Sequence, residues 1–217
     1  MKLAVFDCDG TLIDSQVNII RAMASSFERH GLAAPEAQAT RRIVGLSLVE
    51  AMQALLPEAG HELHLSLAED YKTAFQRLRA DKALDAEPLY PGIRDLLDAL
   101  AGDGWLLAVA TGKSDRGLKL ALEHHGIHHL FVSLQSADRH PSKPHPSMLH
   151  AALAEAGVGH DRAVMIGDTI FDIAMGQAAG VTGIGVDWGY HEADELIEAG
   201  AAQVARDADH LLAILNG

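Results

Sequence analysis

Apolar and polar positions change rhythm twice along the chain. The first run, KLAVFDC, ends on acids, and from Leu89 onward short aliphatic or β-branched runs, LLAVAT, LFVSLQ, AVMIGDT and TGIGVDW, recur at intervals. Runs of this length bounded by turn residues predict buried strands. Between them GLKLALEHHGI, HPSMLHAALAEAGV and FDIAMGQAAGV carry apolar residues at helical spacing. Strand and helix in alternation mean βαβ units, and therefore an α/β protein with a parallel sheet.

Between Asp14 and about Glu87 the strand rhythm vanishes. Ile19, Met23 and Phe27 recur every four residues, as do Leu67, Tyr71 and Phe75, which predicts a small helical bundle with these stripes as its core. Pro88 and Pro91-Gly92 punctuate the return to the α/β pattern. The expected organisation is a core from 1–14 and 89–217 with an all-helical insertion over 15–88. A block inserted after the first strand of a parallel sheet sits above the carboxyl edge of the strands, where open sheets bind ligands. It is expected to act as a lid, hinged near Asp14 to Gln16 and Glu87 to Pro91.

Composition narrows the function classes. With 217 residues, 48% hydrophobic and 22% charged, the chain can bury a full core and a buried site. A net charge of −13 argues against nucleic acid or an anionic membrane as partner, so attraction for an anionic ligand must be local. No apolar run reaches membrane-spanning length, and the opening MKLAVFDCDG has acids where a signal peptide needs apolar residues; a cytoplasmic location is expected. The single cysteine, Cys8, excludes an intrachain disulfide. Asp7 and Asp9 flank it, and negative neighbours suppress the thiolate, so Cys8 is read as a buried strand residue and not a nucleophile.

Candidate chemistry gathers where apolar strands end. Asp7, Asp9, Gly10 and Thr11 follow the first; Thr111, Gly112 and Lys113 follow LLAVA; Lys143-Pro144 lies in the loop SADRHPSKPHP; Gly167, Asp168, Thr169 and Asp172 follow AVMI. At ~4 Å and an effective dielectric of ~20 each like-charge pair costs about 4 kcal/mol, so these converging carboxylates require a cation. Oxygen ligands of this kind suit a hard ion, Mg²⁺ before Zn²⁺.

The ordered set DCDGTL, TGK, KPHP and GDTIFD resembles the four motifs of the haloacid dehalogenase superfamily of phosphatases, and the helical insertion resembles the cap of its phosphoglycolate phosphatase and β-phosphoglucomutase branch. The resemblance spans the whole chain. It implies a Rossmann-like core with a C1-type cap. It further implies that Asp7 attacks phosphorus, that Asp7 and Asp168 hold Mg²⁺ through side chains and Asp9 through its main-chain carbonyl, and that Asp172 supports that shell. Lys143 offsets negative charge, while Thr111 and the backbone around Gly10 and Gly112 hold the transferring oxygens. Asp9 is left to move protons as general acid and base. Related dehalogenases carry an aromatic residue at the position of Asp9 and phosphonate-cleaving relatives a small one, so the acid here favours phosphate esters.

Other motifs are set aside. TGKS at Thr111 to Ser114 echoes a P-loop ending, but the earlier glycine it needs falls on Leu107; in GIGVDWG, Trp188 takes the third fingerprint position. His124, His125, His128 and His129 are expected at the surface, because Gly126 ends the helix between them and breaks one-face ligation. In the cap, Arg41 and Arg42 precede Gly45-Leu46-Ser47, and Arg42 and Gly45 are candidate specificity residues facing the leaving group. The reading is a Mg²⁺-dependent phosphatase, monomeric or homodimeric, acting on a small phosphorylated metabolite of the phosphoglycolate kind through an aspartyl-phosphate. A β-phosphoglucomutase-like mutase shares every motif and stays open as an alternative; a phosphoaspartate signalling receiver has no use for Asp9 or the cap.

Overall fold

The computed structural model describes all residues, Met1–Gly217. The elements run β1 (Leu3–Phe6), α1 (Gln16–Arg29), α2 (Ala37–Arg42), α3 (Leu48–Leu55), α4 (His61–Ala80), α5 (Ile93–Gly102), β2 (Leu106–Thr111), α6 (Asp115–His124), β3 (Phe131–Ser136), α7 (Ser147–Ala156), β4 (Ala163–Gly167), α8 (Ile170–Ala178), β5 (Thr182–Val186), α9 (Ala193–Glu198), β6 (Gln203–Ala205) and α10 (Ala208–Asn216). The six strands form one parallel sheet in the order β3-β2-β1-β4-β5-β6, the Rossmann-like α/β arrangement expected.

β1 is central because every one of its residues is apolar and buried on both faces. Alternate side chains serve opposite layers. Ala4 and Phe6 join Leu97 of α5, Leu118 of α6 and Leu211 of α10, whereas Leu3 and Val5 join Met148 of α7 and Met175 of α8. Strands are added outward from β1 through β2 to β3, and the chain then jumps back to place β4 on the other flank of β1. That reversal of strand order opens a crevice at the carboxyl ends of β1 and β4, the place where such sheets bind ligands.

Helices α1 to α4 form a separate block with its own core of Met23, Phe27, Met52 and Leu67. The i, i+4 stripe of α4 does not stay in that core. A step of four residues overshoots a helical turn by about 40°, so the stripe winds round the helix; Leu67 is buried in the bundle, Tyr71 packs against that core and also lines the gap toward the sheet, and Phe75 faces the gap. Both chain crossings into the block run side by side: Ile13 bridges Leu89, Asp14 N donates to Pro88 O at 2.9 Å, and Tyr90 N donates to Leu12 O at 3.0 Å.

Candidate active site

The strand ladder continues one residue past β1, since Asp7 N donates to Ile166 O at 2.9 Å. The chain then folds back tightly: Leu12 N and Ile13 N both donate to Cys8 O, and Gly10 takes φ +86°. A Cβ on Gly10 would fall 2.2 Å from Asp168 Oδ2, so only glycine lets this turn approach β4's terminus. Across the crevice, Thr169 and Asp172 close a capping box on α8. Thr11 Oγ1 donates to Asp168 Oδ1 at 2.8 Å and Tyr190 N to Asp168 Oδ2 at 3.0 Å.

These turns bring Asp7, Asp168 and Asp172 together, with one oxygen of each within 4.8 Å of the others. All three are buried. Lys143, from the loop between β3 and α7, is buried against them, its Nζ 2.9 Å from Asp7 Oδ1 and 2.6 Å from Asp172 Oδ1. Apart from this pairing with the Lys143 ammonium, no group donates a hydrogen bond to either Asp7 oxygen. Burial pushes the Asp7 carboxyl up to about 7; Lys143 opposes that rise and Asp172 adds to it. Burial, then Asp172 and Asp7, lift Asp168 well above the usual carboxylate range. Burial works against the Lys143 ammonium, but Asp172 and Asp7 together hold it above the ordinary lysine range. Three carboxylates against one ammonium, with oxygen donors only and Asp7 Oδ2 without a partner, fit a hard divalent cation such as Mg²⁺.

Asp9 points elsewhere. Its Oδ1 accepts from Lys113 Nζ at 2.6 Å and from Ser15 Oγ. Burial disfavours the Lys113 ammonium, yet Asp9, then Cys8 and Glu87, keep it above the ordinary lysine range. For Cys8 itself burial, then Asp9, lifts the thiol far from ionisation.

Asp7, Asp9, Thr111 and Gly112 line a cavity of ≈ 330 Å³ between the sheet edge and the helical block. Ile19, Met23, Val44, Tyr71 and Phe75 form the opposite wall, and Gly45 and Leu46 close one side. A Cβ on Gly112 would lie 2.6 Å from Leu46 O, which shows how closely this loop rests on the end of β2. Gly45, at φ +100°, lies against Thr169.

Arg42 departs from expectation. Its guanidinium makes a two-pronged pair with Glu195 of α9 at 2.6 Å on each prong, and it does not line the cavity. A carboxylate with the right fork geometry stands on α9 opposite α2, so the Arg42 guanidinium ties the helical block to the sheet side of the molecule. Of the histidines, α6 ends at His124 and Gly126 takes φ +62°, and none joins an acidic cluster. His125 instead bonds Glu87 O at 2.8 Å.

Three participants, Ser15, Gly189 and Tyr190, escaped the sequence reading, and the partner of a fourth, Lys113, was left open. Lys113 had a signal, its position two residues after Thr111, but no way to be assigned to Asp9. Ser15 had none. Gly189 ends the run set aside as a false nucleotide fingerprint and Tyr190 follows it; a Cβ on Gly189 would fall 2.1 Å from Asp168 Cβ, so this glycine lets the Tyr190 amide reach Asp168.

Comparison with known proteins agrees with this arrangement. Residues 4–186 match the family described as haloacid dehalogenase-like hydrolase. The chain is 34% identical over 213 residues to the probable phosphatase IndB of Dickeya dadantii, covering 94% of this chain and 89% of that one. It is 28% identical over 220 residues to the phosphoglycolate phosphatase of Pasteurella multocida, covering 99% and 98%. A crystal structure of a "predicted phosphatase" from Clostridium acetobutylicum superposes with a TM-score of 0.89 at 25% identity, over 99% of this chain and 98% of that one.

Proposed function

This chain belongs to the haloacid dehalogenase-like hydrolase family, and from that premise we propose that it is a Mg²⁺-dependent phosphatase that hydrolyses a small phosphomonoester through an aspartyl-phosphate on Asp7. The observation that carries the reading is Asp7 itself: a carboxylate on the cavity wall, paired only with Lys143 and beside two further acids.

Asp7, Asp168 and the main-chain carbonyl of Asp9 would hold Mg²⁺, with Asp172 in support. The ion supplies positive charge that lets an anionic nucleophile meet an anionic phosphoryl group. An Asp7 oxygen attacks phosphorus as the bond to the leaving oxygen breaks, and Asp9 gives that oxygen a proton. Asp9 then takes a proton from water, whose oxygen attacks the aspartyl-phosphate and releases phosphate and the free Asp7 carboxylate. Lys143 offsets charge on Asp7 throughout, while Thr111 and the amides around Gly10 and Gly112 hold the transferring oxygens. In this scheme residues 15–88 act as a cap domain over the core of 1–14 and 89–217, excluding water until the alcohol has left.

Phosphoglycolate, the substrate in the name of the Pasteurella multocida relative, leads the compounds to test, followed by sugar phosphates. Release of inorganic phosphate is measured from this panel with Mg²⁺, with chelator, and with Asp7→Asn. Turnover that needs Mg²⁺ and falls at least about 10³-fold in Asp7→Asn is expected. Full activity in either control overturns the proposal, and conversion of glucose 1-phosphate to glucose 6-phosphate without phosphate release would assign a mutase instead.

A further inference from the structure

Each of the two acids that end β1 has a lysine of its own. Lys143 sits between Asp7 and Asp172, whereas Lys113 reaches back from the end of β2 to Asp9, a partner 104 residues away in sequence, at 2.6 Å. The side chains of Lys113 and Asp9 are only 15% and 10% exposed, so solvent does little to loosen the pair. Both protein donors to Asp9, Lys113 Nζ and Ser15 Oγ, converge on Oδ1. Oδ2 takes no hydrogen bond from the protein, and Asp9 lines the cavity.

We propose that Lys113 is a positioning residue for proton transfer: by holding Oδ1 it fixes the Asp9 carboxyl so that Oδ2 faces the bridging oxygen of the substrate. The inference rests on the role of Asp9 in the phosphatase reading above. As the phosphorus–oxygen bond of the ester breaks and the Asp7–phosphorus bond forms, the proton on Oδ2 passes to the departing alkoxide, and the carboxylate left behind is stabilised through Oδ1 by Lys113 and Ser15. In the second half Oδ2 takes a proton from water as the water oxygen bonds to phosphorus and the Asp7–phosphorus bond breaks. A purely structural ion pair would steady the fold without distinguishing one leaving group from another.

Leaving-group dependence is therefore the deciding measurement. The single-turnover release of alcohol is followed by rapid quench for an alkyl phosphate accepted by the enzyme and for p-nitrophenyl phosphate, whose phenolate departs without a proton. Lys113→Met is expected to slow the alkyl ester by at least about 10²-fold and p-nitrophenyl phosphate by less than about threefold, with Lys113→Arg recovering part of the loss. Equal losses for both esters, or a change confined to KM, overturn the proposal. Should Lys113→Met lack a cooperative unfolding transition, Ser15→Ala removes the other donor to the same oxygen without stranding a charge; a smaller loss restricted to the alkyl ester supports the proposal, and an equal loss on both overturns it. Failure of the phosphatase reading is separate, since it appears in the wild-type protein as no phosphate release or as indifference to Asp7→Asn.

Discussion

Leaving Asp7 charged costs the fold something, because a buried carboxylate with the Lys143 ammonium as its one partner has lost more in hydration than it recovers. Its proton is held up to about 7, chiefly by burial, whereas an unfolded aspartate loses it near 3.8. Between those values the native state binds the extra proton, so stability falls as pH rises across that window. We expect thermal unfolding in chelator to show lower midpoints at pH 7 than at pH 5, with Asp7→Asn flattening that dependence while abolishing turnover. No difference between the two proteins in chelator would count against the burial argument. The acids themselves were legible in the sequence, since a charged group that closes a buried apolar run must be met there by a partner or an ion. The partners were not. Lys113 and Tyr190 lie 104 and 22 residues from the acids they serve, and nothing local selects which acid a lysine or an amide will meet.

Among the elements, α2 and the loop after it decide how the helical block meets the sheet. The Arg42–Glu195 pair is about one-third exposed, 38% and 33% at the side chains, so its worth to stability is under about 1 kcal/mol. Hydrogen bonds from Arg42, then from the Glu192 amide, hold the Glu195 carboxyl down at about 2, below the usual 4.5. That contribution is fully present above the ordinary value and is lost as pH falls toward 2. Glu195→Gln is expected to speed amide exchange in α2 and the Gly45–Leu46 loop and to leave the unfolding midpoint nearly unchanged; unchanged exchange would show that the pair does not hold the block. Gly112→Ala tests the other contact. Its new Cβ would meet the Leu46 and Gly45 carbonyls at 2.6 and 2.8 Å, and backbone cannot swing aside as a side chain does. Displacing that loop should lower kcat/KM by roughly 10²-fold with the fold intact, measured by circular dichroism alongside kinetics. Periodicity predicted the helices here but not their facing. Tyr71 and Phe75 share a stripe with Leu67, and only the winding of that stripe brings Tyr71 to the border of bundle core and cavity and Phe75 out of that core altogether.

At the scale of the molecule, the parallel α/β sheet was legible, because strands alternating with helices build right-handed βαβ units. The short terminal elements were not; β6 is three residues long and carries no period. A cation that binds only the folded site stabilises it by mass action, so Mg²⁺ at about 100 times its Kd should add about 2.7 kcal/mol and raise Tm by roughly 5–10 °C. Asp168→Asn should shrink that shift, and a shift undiminished in that variant would place the ion elsewhere. The paired crossings at Ile13 and Leu89 bear on everything above the sheet. Two backbones pinned together behave as a door hinge and not as a leash: swing about their common axis is permitted, while sliding and twisting would tear the bonds between them. We expect any displacement of the helical block to be a swing about that axis, so that one distance probe between Phe75 and Asp7 reads it; a displacement that leaves that distance fixed would count against a hinge here.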